Sequence, residues 1–144
     1  SSLTVLLMTN KTAIKVSSFF TNDKVLGWVS KENSKKRFKY NKDLWVLQST
    51  FDYGKKHTDN YRNKKKFYTN VLINKFKKLT KIKIRKTYFT HIHGWKYSSN
   101  STPLKTQSYW DKRIGLGICG DWFGGPRLEN GWLSATNLYN KIKK

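Results

Sequence analysis

The sequence is poor in cysteine, proline and acidic side chains. Its 144 residues include one cysteine, two prolines and eight Asp or Glu residues. The single cysteine, Cys119, excludes an internal disulfide and any site built from several thiolates, and its apolar neighbours favour a small buried side chain over a reactive thiol. No apolar run is long enough to cross a bilayer. We therefore expect a cytoplasmic protein without a membrane partner.

Basic residues, in contrast, are abundant. Lys and Arg number 30, which gives a formal net charge of +22. Such a charge favours nucleic acid or anionic membranes as partners, because Lys and Arg neutralise phosphates. The lysines are spread along the whole chain, however, and arginine, the side chain best suited to clamp phosphate, occurs only five times. The pattern favours a solvated basic surface, and we do not expect a nucleic-acid partner.

The hydrophobic pattern predicts a mostly antiparallel sheet with a covering helix. Segments rich in alternating, β-branched and aromatic residues indicate strands. Apolar residues at helical spacing, from Phe67 through Val71, Leu72 and Phe76 to Leu79, predict a basic amphipathic helix over 60–79 that covers one sheet face. The predicted strands are 3–8 and 13–20, joined by a turn at 9–11, followed by 25–30, 43–50 and 82–92.

The stretch GICGDWFGGPRLENGWLSA, residues 117–135, has a different composition. It holds five of the nine glycines and two of the six tryptophans. A strand over 114–119, predicted to be buried, leads to Gly120 and Asp121 at its carboxyl end, where α/β sheets bind ligands. A glycine-rich loop then leads to a helix over 131–143, whose first turn, 130–133, would offer free N–H groups to an electron-rich ligand. The alternative is an ordinary turn capped by Asp121.

These residues resemble a known family. The pattern G-x-C-G-D-W, followed by R-L-E-x-x-W-L-S and preceded by H-x-W-K-Y, resembles the carboxyl-terminal portion of renalase-like NAD(P)/FAD-dependent oxidoreductases, within the flavin amine oxidase superfamily. The similarity extends in order through LGWVSKENSKKRF, DLWVLQSTFDYGKKH and HIHGWKYS. It covers nearly the whole chain and is most specific around Gly120.

The resemblance implies an α+β or α/β fold in two parts. Residues 1–110 would be part of a substrate-binding domain, with a mostly antiparallel sheet and its covering helix. Residues 111–144 would form a strand-loop-helix that completes a Rossmann-like FAD-binding domain. Such enzymes begin with a βαβ unit that carries G-x-G-x-x-G. We expect no such motif in this chain, so the amino-terminal dinucleotide-binding half would belong to the same gene or to a separate chain.

The resemblance also implies FAD as the cofactor. Asp121, between Gly120 and Trp122, matches the acidic residue that contacts the ribityl-phosphate part of FAD. The next matching segment has backbone N–H groups that face flavin N1 and the C2 carbonyl; its residues are Leu128, Glu129, Asn130, Gly131, Trp132 and Leu133.

Two further aromatic residues match the family, and three residues near the start of the carboxyl-terminal helix differ from it. Trp95 and Tyr97 match positions beside the flavin or the substrate cavity, with ordinary core packing as the alternative. The family usually has glycine at 130, alanine at 131 and glycine at 135, where this chain has Asn130, Gly131 and Ala135. Asparagine tolerates a left-handed backbone, so the turn at Asn130 is expected to survive.

The implied activity is hydride transfer from a reduced nicotinamide-type or amine substrate to flavin N5, and from there to dioxygen. Because the flavin performs the chemistry, no acid–base catalyst is assigned, and this chain alone is expected to be inactive. Two other functions stay open: a basic RNA-binding module and one subunit of a split flavoenzyme. His91 and His93 share a strand face, but without nearby Asp, Glu or Cys ligands they predict no metal site.

Overall fold

The computed structural model describes residues 1–37, 40–98, 100, 102–125 and 127–143. The chain forms two compact units, unit 1 from Ser1 to Lys96 and unit 2 from Tyr97 to Lys144. Each unit is described by itself. The expected assignment of 1–110 to a substrate domain and 111–144 to an FAD domain stays a prediction.

Unit 1 is built on a five-stranded antiparallel sheet, which confirms the sheet expected from the sequence. The spatial order of its strands is β2-β3-β4-β1-β5, so that β1 lies between β4 and β5. The predicted turn pairing of 3–8 with 13–20 is wrong, because β1 takes β4 and β5 as its partners. The strands are β1 (Ser2–Thr9), β2 (Ser18–Phe20), β3 (Leu26–Lys31), β4 (Asp43–Ser49) and β5 (Thr87–Trp95).

Two helices follow β4. The first, α1 (Phe51–His57), was not predicted from the sequence. It begins after Thr50, whose side chain accepts a hydrogen bond from the Tyr53 N–H at 3.2 Å, a typical helix cap. The second, α2 (Lys65–Thr80), is preceded by a 3₁₀ turn over Tyr61–Lys64 and is the predicted covering helix.

The buried side of α2 differs from the predicted one. Phe67 and Leu79 are 59% and 46% exposed, although both were expected to face the sheet. Successive helical residues are about 100° apart around the axis, which places Phe67 about 140° from Leu72 and therefore on the side away from the core. Leu79 lies on the same side as Leu72, but it is the second-last residue of α2. The side chains that do face the core are Tyr68, Leu72, Ile73 and Phe76.

The core of unit 1 lies between α2 and one face of the sheet. Alternate residues of β1, Leu3, Val5 and Leu7, are buried there, and the Trp45 and Phe76 rings have centroids 5.0 Å apart. Burying a side chain of this size contributes about 1.5–3 kcal/mol. These contacts make α2 the cover of a single sheet face. Other buried apolar residues are Leu26, Val29, Leu47 and Ile92.

A buried ion pair ties the start of β4 to the end of β3. The Asp43 carboxylate accepts hydrogen bonds from the Thr12 N–H at 2.9 Å and hydroxyl at 2.6 Å, and it lies 2.9 Å from Lys31 Nζ. Burial raises the pKa of the Asp43 carboxyl, but the bonds from Thr12 and Lys31 outweigh burial and hold this pKa below its usual value. Asp43 is therefore ionised in the folded protein at neutral pH.

Unit 2 contains a β-hairpin and one long helix. Strands β6 (Tyr109–Asp111) and β7 (Leu116–Ile118) pair antiparallel, and a 3₁₀ turn (Asp121–Phe123) leads towards α3 (Leu128–Ile142). The sequence did not predict β6. The expected Rossmann-like FAD domain is not confirmed, because among the described residues β7 pairs only with β6 and no parallel sheet forms. Within these same residues, no helix combines the length and apolarity needed to span a bilayer.

Replacing Asp43 by Asn is expected to lower the free energy of unfolding by about 3 kcal/mol, because Lys31 then lacks its buried counter-charge. Urea unfolding at neutral pH measures this cost, with the exposed Asp52→Asn variant as control. Since the folded-state pKa of Asp43 lies below its unfolded value, its contribution is present above the unfolded pKa and is lost as the pH falls through the folded one. An equal pH dependence in wild type and Asp43→Asn would contradict this assignment.

Candidate functional site

The predicted cofactor-binding residues form one surface of unit 2. Gly120 and Asp121 follow β7 directly, and a methyl group added to Gly131 would lie 3.9 Å from the Asp121 backbone N and Cβ. The Gly120 N–H donates to Ser134 Oγ at 3.0 Å. The Gly-Asp pair and the first turns of α3 therefore lie side by side.

The amino end of α3 lies earlier than the sequence predicted. The helix begins at Leu128 rather than at 131, and no described side chain caps its start. The Asn130 N–H already bonds the Arg127 carbonyl at 3.0 Å, and the N–H groups of 131–133 lie inside the helix, where they bond carbonyls four residues back. The predicted free N–H groups at 130–133 are therefore wrong. The open positions at this end are Leu128 and Glu129.

The early start has a physical reason. Glu129 lies in the first turn of α3, where a negative side chain interacts favourably with the positive end of the helix dipole. The same carboxylate disfavours an anion at this end, so the site suits a neutral, electron-rich group better than a phosphate.

The strand before Gly120 is exposed, although the sequence predicted a buried one. Leu116 is 45% exposed and Ile118 is 41% exposed, and Cys119 is partly exposed instead of buried. The hairpin contacts α3 through Gly117, where an added methyl group would approach the Leu138 side chain to 3.0 Å. A two-stranded hairpin with one neighbouring helix cannot bury both of its faces.

The expectation that the sequence contains no G-x-G-x-x-G spacing is wrong, because one such string is present. The string G-L-G-I-C-G runs from Gly115 to Gly120. In the dinucleotide-binding fingerprint this spacing follows a strand and opens a helix. Here Gly115 has a φ of +64° in the hairpin turn, Gly117 lies within β7, and α3 begins only at Leu128. The string therefore does not form a pyrophosphate-binding loop.

Hydrogen bonds hold α3 to the chain before the hairpin. Ser134 Oγ donates to the Gln107 carbonyl at 2.5 Å, and Asn137 Nδ2 donates to Gln107 Oε1 at 3.0 Å. Ser108 Oγ donates to Asn137 Oδ1 at 2.6 Å, and Lys141 Nζ donates to the Ser108 carbonyl at 2.6 Å. Polar side chains thus occupy the position that an apolar stripe usually takes in a packed helix.

Most of the large apolar side chains described in unit 2 are correspondingly exposed, although Phe123 is buried. We call the exposed residues of the hairpin, the 3₁₀ turn and α3 the outer apolar surface. Large exposed apolar side chains that lie together mark interaction sites in many proteins. Predicted cofactor-binding residues make up much of it, with Leu128 95% and Trp132 68% exposed. Its members are Tyr109, Ile114, Leu116, Ile118, Trp122, Leu128, Trp132, Leu133, Tyr139 and Ile142.

A residue of the predicted site, Asn130, forms a hydrogen bond with the glycine-rich loop. Asn130 Nδ2 donates to the Gly125 carbonyl at 3.1 Å, and Gly125 has a φ of +111°, a conformation that suits glycine. Asn130 is itself helical, so it does not need the left-handed backbone considered for it. Asp121 is exposed, and its carboxylate bonds no described residue. Pro126 of this loop lies outside the described residues.

The two aromatic residues predicted to contact substrate are exposed, so the core-packing alternative is wrong for both. Trp95 is 52% exposed at the end of β5, and its ring centroid lies 4.5 Å from that of His93. Tyr97 is 91% exposed and belongs to unit 2, so nothing places it beside Trp95.

Trp95 belongs to the open sheet face, which is the face of unit 1 opposite α2. Strand register aligns Phe89 with Met8 and Leu44, and His93 with Thr4 and Gln48. An apolar cavity of about 230 Å³ lies at the Phe89 end. This face was not predicted from the sequence, although the alternation of polar and apolar residues in β1, β4 and β5 indicates it. Its central members are Thr4, Leu6, Met8, Leu44, Val46, Gln48, Phe89, His91, His93 and Trp95.

No model of a known protein family matches the chain. The resemblance to renalase-like oxidoreductases therefore rests on the sequence motifs themselves. Within the described part of the chain, no group of three or more His, Cys, Asp or Glu side chains is placed to hold a metal ion.

Replacing Gly131 by Ala is expected to raise the free energy of unfolding by about 0.5–1 kcal/mol, because alanine favours the helix and its methyl group meets only ordinary contacts. Gly54→Ala is the matched control in α1. Its methyl group would lie 2.4 Å from the Ser1 carbonyl oxygen, so this variant is expected to be destabilised. Thermal unfolding of both variants measures the two effects, and a loss of stability in Gly131→Ala would contradict the described packing of α3.

Proposed function

We propose that this chain supplies the substrate-binding sheet and part of the FAD site of a renalase-like oxidoreductase. That enzyme would accept hydride from a reduced nicotinamide-type or amine substrate onto flavin N5. The observation that most supports the proposal is the position of Gly120 and Asp121 beside the first turns of α3, where a methyl group on Gly131 would lie only 3.9 Å from Asp121.

Asp121 and the start of α3 fit different parts of the cofactor. The exposed Asp121 carboxylate can accept hydrogen bonds from ribityl hydroxyls. The open N–H groups of Leu128 and Glu129, at the amino end of α3, suit the N1 and O2 edge of the flavin, whose neutral oxidised form accepts hydrogen bonds there. Bound FAD would supply the hydride acceptor, and these residues would orient it.

The outer apolar surface supports the need for a second, dinucleotide-binding half. Its exposed Trp122, Trp132 and Leu128 side chains belong to the same segments that match the FAD contacts. The only G-x-G-x-x-G string in the chain lies in a hairpin, so the pyrophosphate would need another loop to bind it. We propose that a Rossmann-like half covers this surface, either as part of one polypeptide or as a separate subunit.

The open sheet face is the proposed substrate surface. Trp95 and His93 form an edge-to-face pair there, an arrangement that leaves an aromatic ring accessible for stacking. A flat nicotinamide ring or an apolar amine substituent matches this surface and the adjoining cavity lined by Leu6, Leu44 and Phe89.

Complementation with a partner half tests the proposal. The purified chain is mixed with FAD and the dinucleotide-binding half of a renalase-like enzyme, and the flavin retained after gel filtration is measured by its visible absorbance. Retention is expected only with both halves present, followed by bleaching of the flavin when a reduced nicotinamide is added without oxygen. Asp121→Ala is expected to retain several-fold less FAD, whereas the exposed Asp52→Ala control is expected to retain as much as wild type.

Two results would contradict the proposal. One is a mixture that holds no more FAD than the dinucleotide-binding half alone. The other is tight, saturable FAD binding by this chain in isolation, because the described part of the chain contains no pyrophosphate-binding loop to support it.

A further inference from the structure

A groove in unit 1 collects lysines between α2 and β5. Its cavity has a volume of about 550 Å³. Three lysines border it, Lys65 and Lys66 near the amino end of α2 and Lys77 near its carboxyl end. No Asp or Glu side chain lines the cavity. We call this cavity the α2–β5 groove.

The lysines of the α2–β5 groove have no local counter-charges. None of the three forms a salt bridge with a described residue, whereas Lys75 on another side of the same helix pairs with Asp23 at 2.8 Å. Unpaired cations that line one cavity create a positive potential stronger than that of single surface lysines. The groove is therefore suited to an anionic ligand.

A second basic cavity lies where α2 leads into β5. Its volume is about 470 Å³, and no carboxylate lines it either. The Asn10 side chain fixes the connection, because its Oδ1 accepts hydrogen bonds from the N–H groups of Arg85 at 2.8 Å and Lys86 at 3.0 Å. Basic side chains thus continue from the groove along this connection. Those that line the second cavity are Lys11, Lys81, Lys83 and Arg85.

The groove between Lys65 and Lys77 is elongated. These two residues are twelve positions apart on α2, which corresponds to about 18 Å along the helix axis. Between them the lining is neutral and hydrogen-bonding, with Asn70, Asn74 and Thr90. Spaced cations with amide and hydroxyl groups between them suit a linear polyanion better than a single phosphate.

We propose that the α2–β5 groove binds the phosphodiester backbone of a single-stranded nucleic acid. A bilayer surface cannot enter a concave groove, and membrane-bound helices insert an apolar face, whereas most of the described residues that line this groove are polar or charged. Single strands bind in basic grooves that follow their backbone. The even spread of lysines along the sequence did not favour this partner, but the position of the groove lysines in the structure does, and the inference is independent of the proposed flavin site.

The test compares two triple variants that remove the same charge. One replaces the groove lysines, K65Q/K66Q/K77Q, and the other replaces exposed lysines outside both cavities, K24Q/K55Q/K56Q. Binding of the intact chain to fluorescent oligouridylate is followed by anisotropy over a range of salt concentrations. Circular dichroism checks that each variant is folded.

Loss of three phosphate contacts is expected to reduce the slope of log affinity against log salt by about 2 and to weaken low-salt binding by about tenfold or more. The control triple is expected to keep its slope and most of its affinity. Equal losses in both triples, or no salt-dependent binding by wild type, would overturn the proposal. The proposal would also be overturned if wild type bound an RNA duplex or phosphatidylserine vesicles more tightly than oligouridylate and the groove variant lost that binding.

Discussion

The register of β1 is the constraint on which unit 1 depends. This strand pairs with β4 on one side and β5 on the other, and its alternation directs Leu3, Val5 and Leu7 to α2. The residues between them then lie on the open sheet face. A shift of one residue in either pairing would exchange the two faces. The core and the proposed substrate surface are thus set by one pattern of hydrogen bonds.

The sequence predicted the positions of strands and helices better than it predicted which strands pair with each other. Alternation identified most of the sheet, but β1 joins strands far away in the chain, which periodicity does not encode. Helical spacing located α2, yet Phe67 was assigned to the wrong side because several apolar registers overlap there, and Leu79 is exposed near the end of the helix. The start of α3 was placed too late, since Asn130 and Gly131 read as a turn. Glycine spacing alone also did not distinguish a hairpin from a nucleotide-binding loop.

The two units use different interactions, and this difference bears on function. Unit 1 has an apolar core under α2. In unit 2, the inner face of α3 carries Ser134 and Asn137, which form hydrogen bonds there instead of apolar contacts. Many large apolar side chains of unit 2 are left at the surface, several of them in the segments that resemble an FAD site. In unit 1, carboxylates such as Asp43 are bound to lysines, while the α2–β5 groove keeps its lysines unpaired. Proposed binding surfaces therefore coincide with groups that the fold itself leaves unsatisfied.

The place of β1 in the sheet also affects how the chain is made. β1 (Ser2–Thr9) is synthesised before β5, which covers its second edge and begins only at Thr87. Until β5 leaves the ribosome, that edge of β1 has no partner, and α2 has no finished sheet to pack against. Non-local strand pairing of this kind slows folding and prolongs the exposure of apolar residues to other chains. We therefore expect lower temperature or chaperones during synthesis to increase the yield of folded protein.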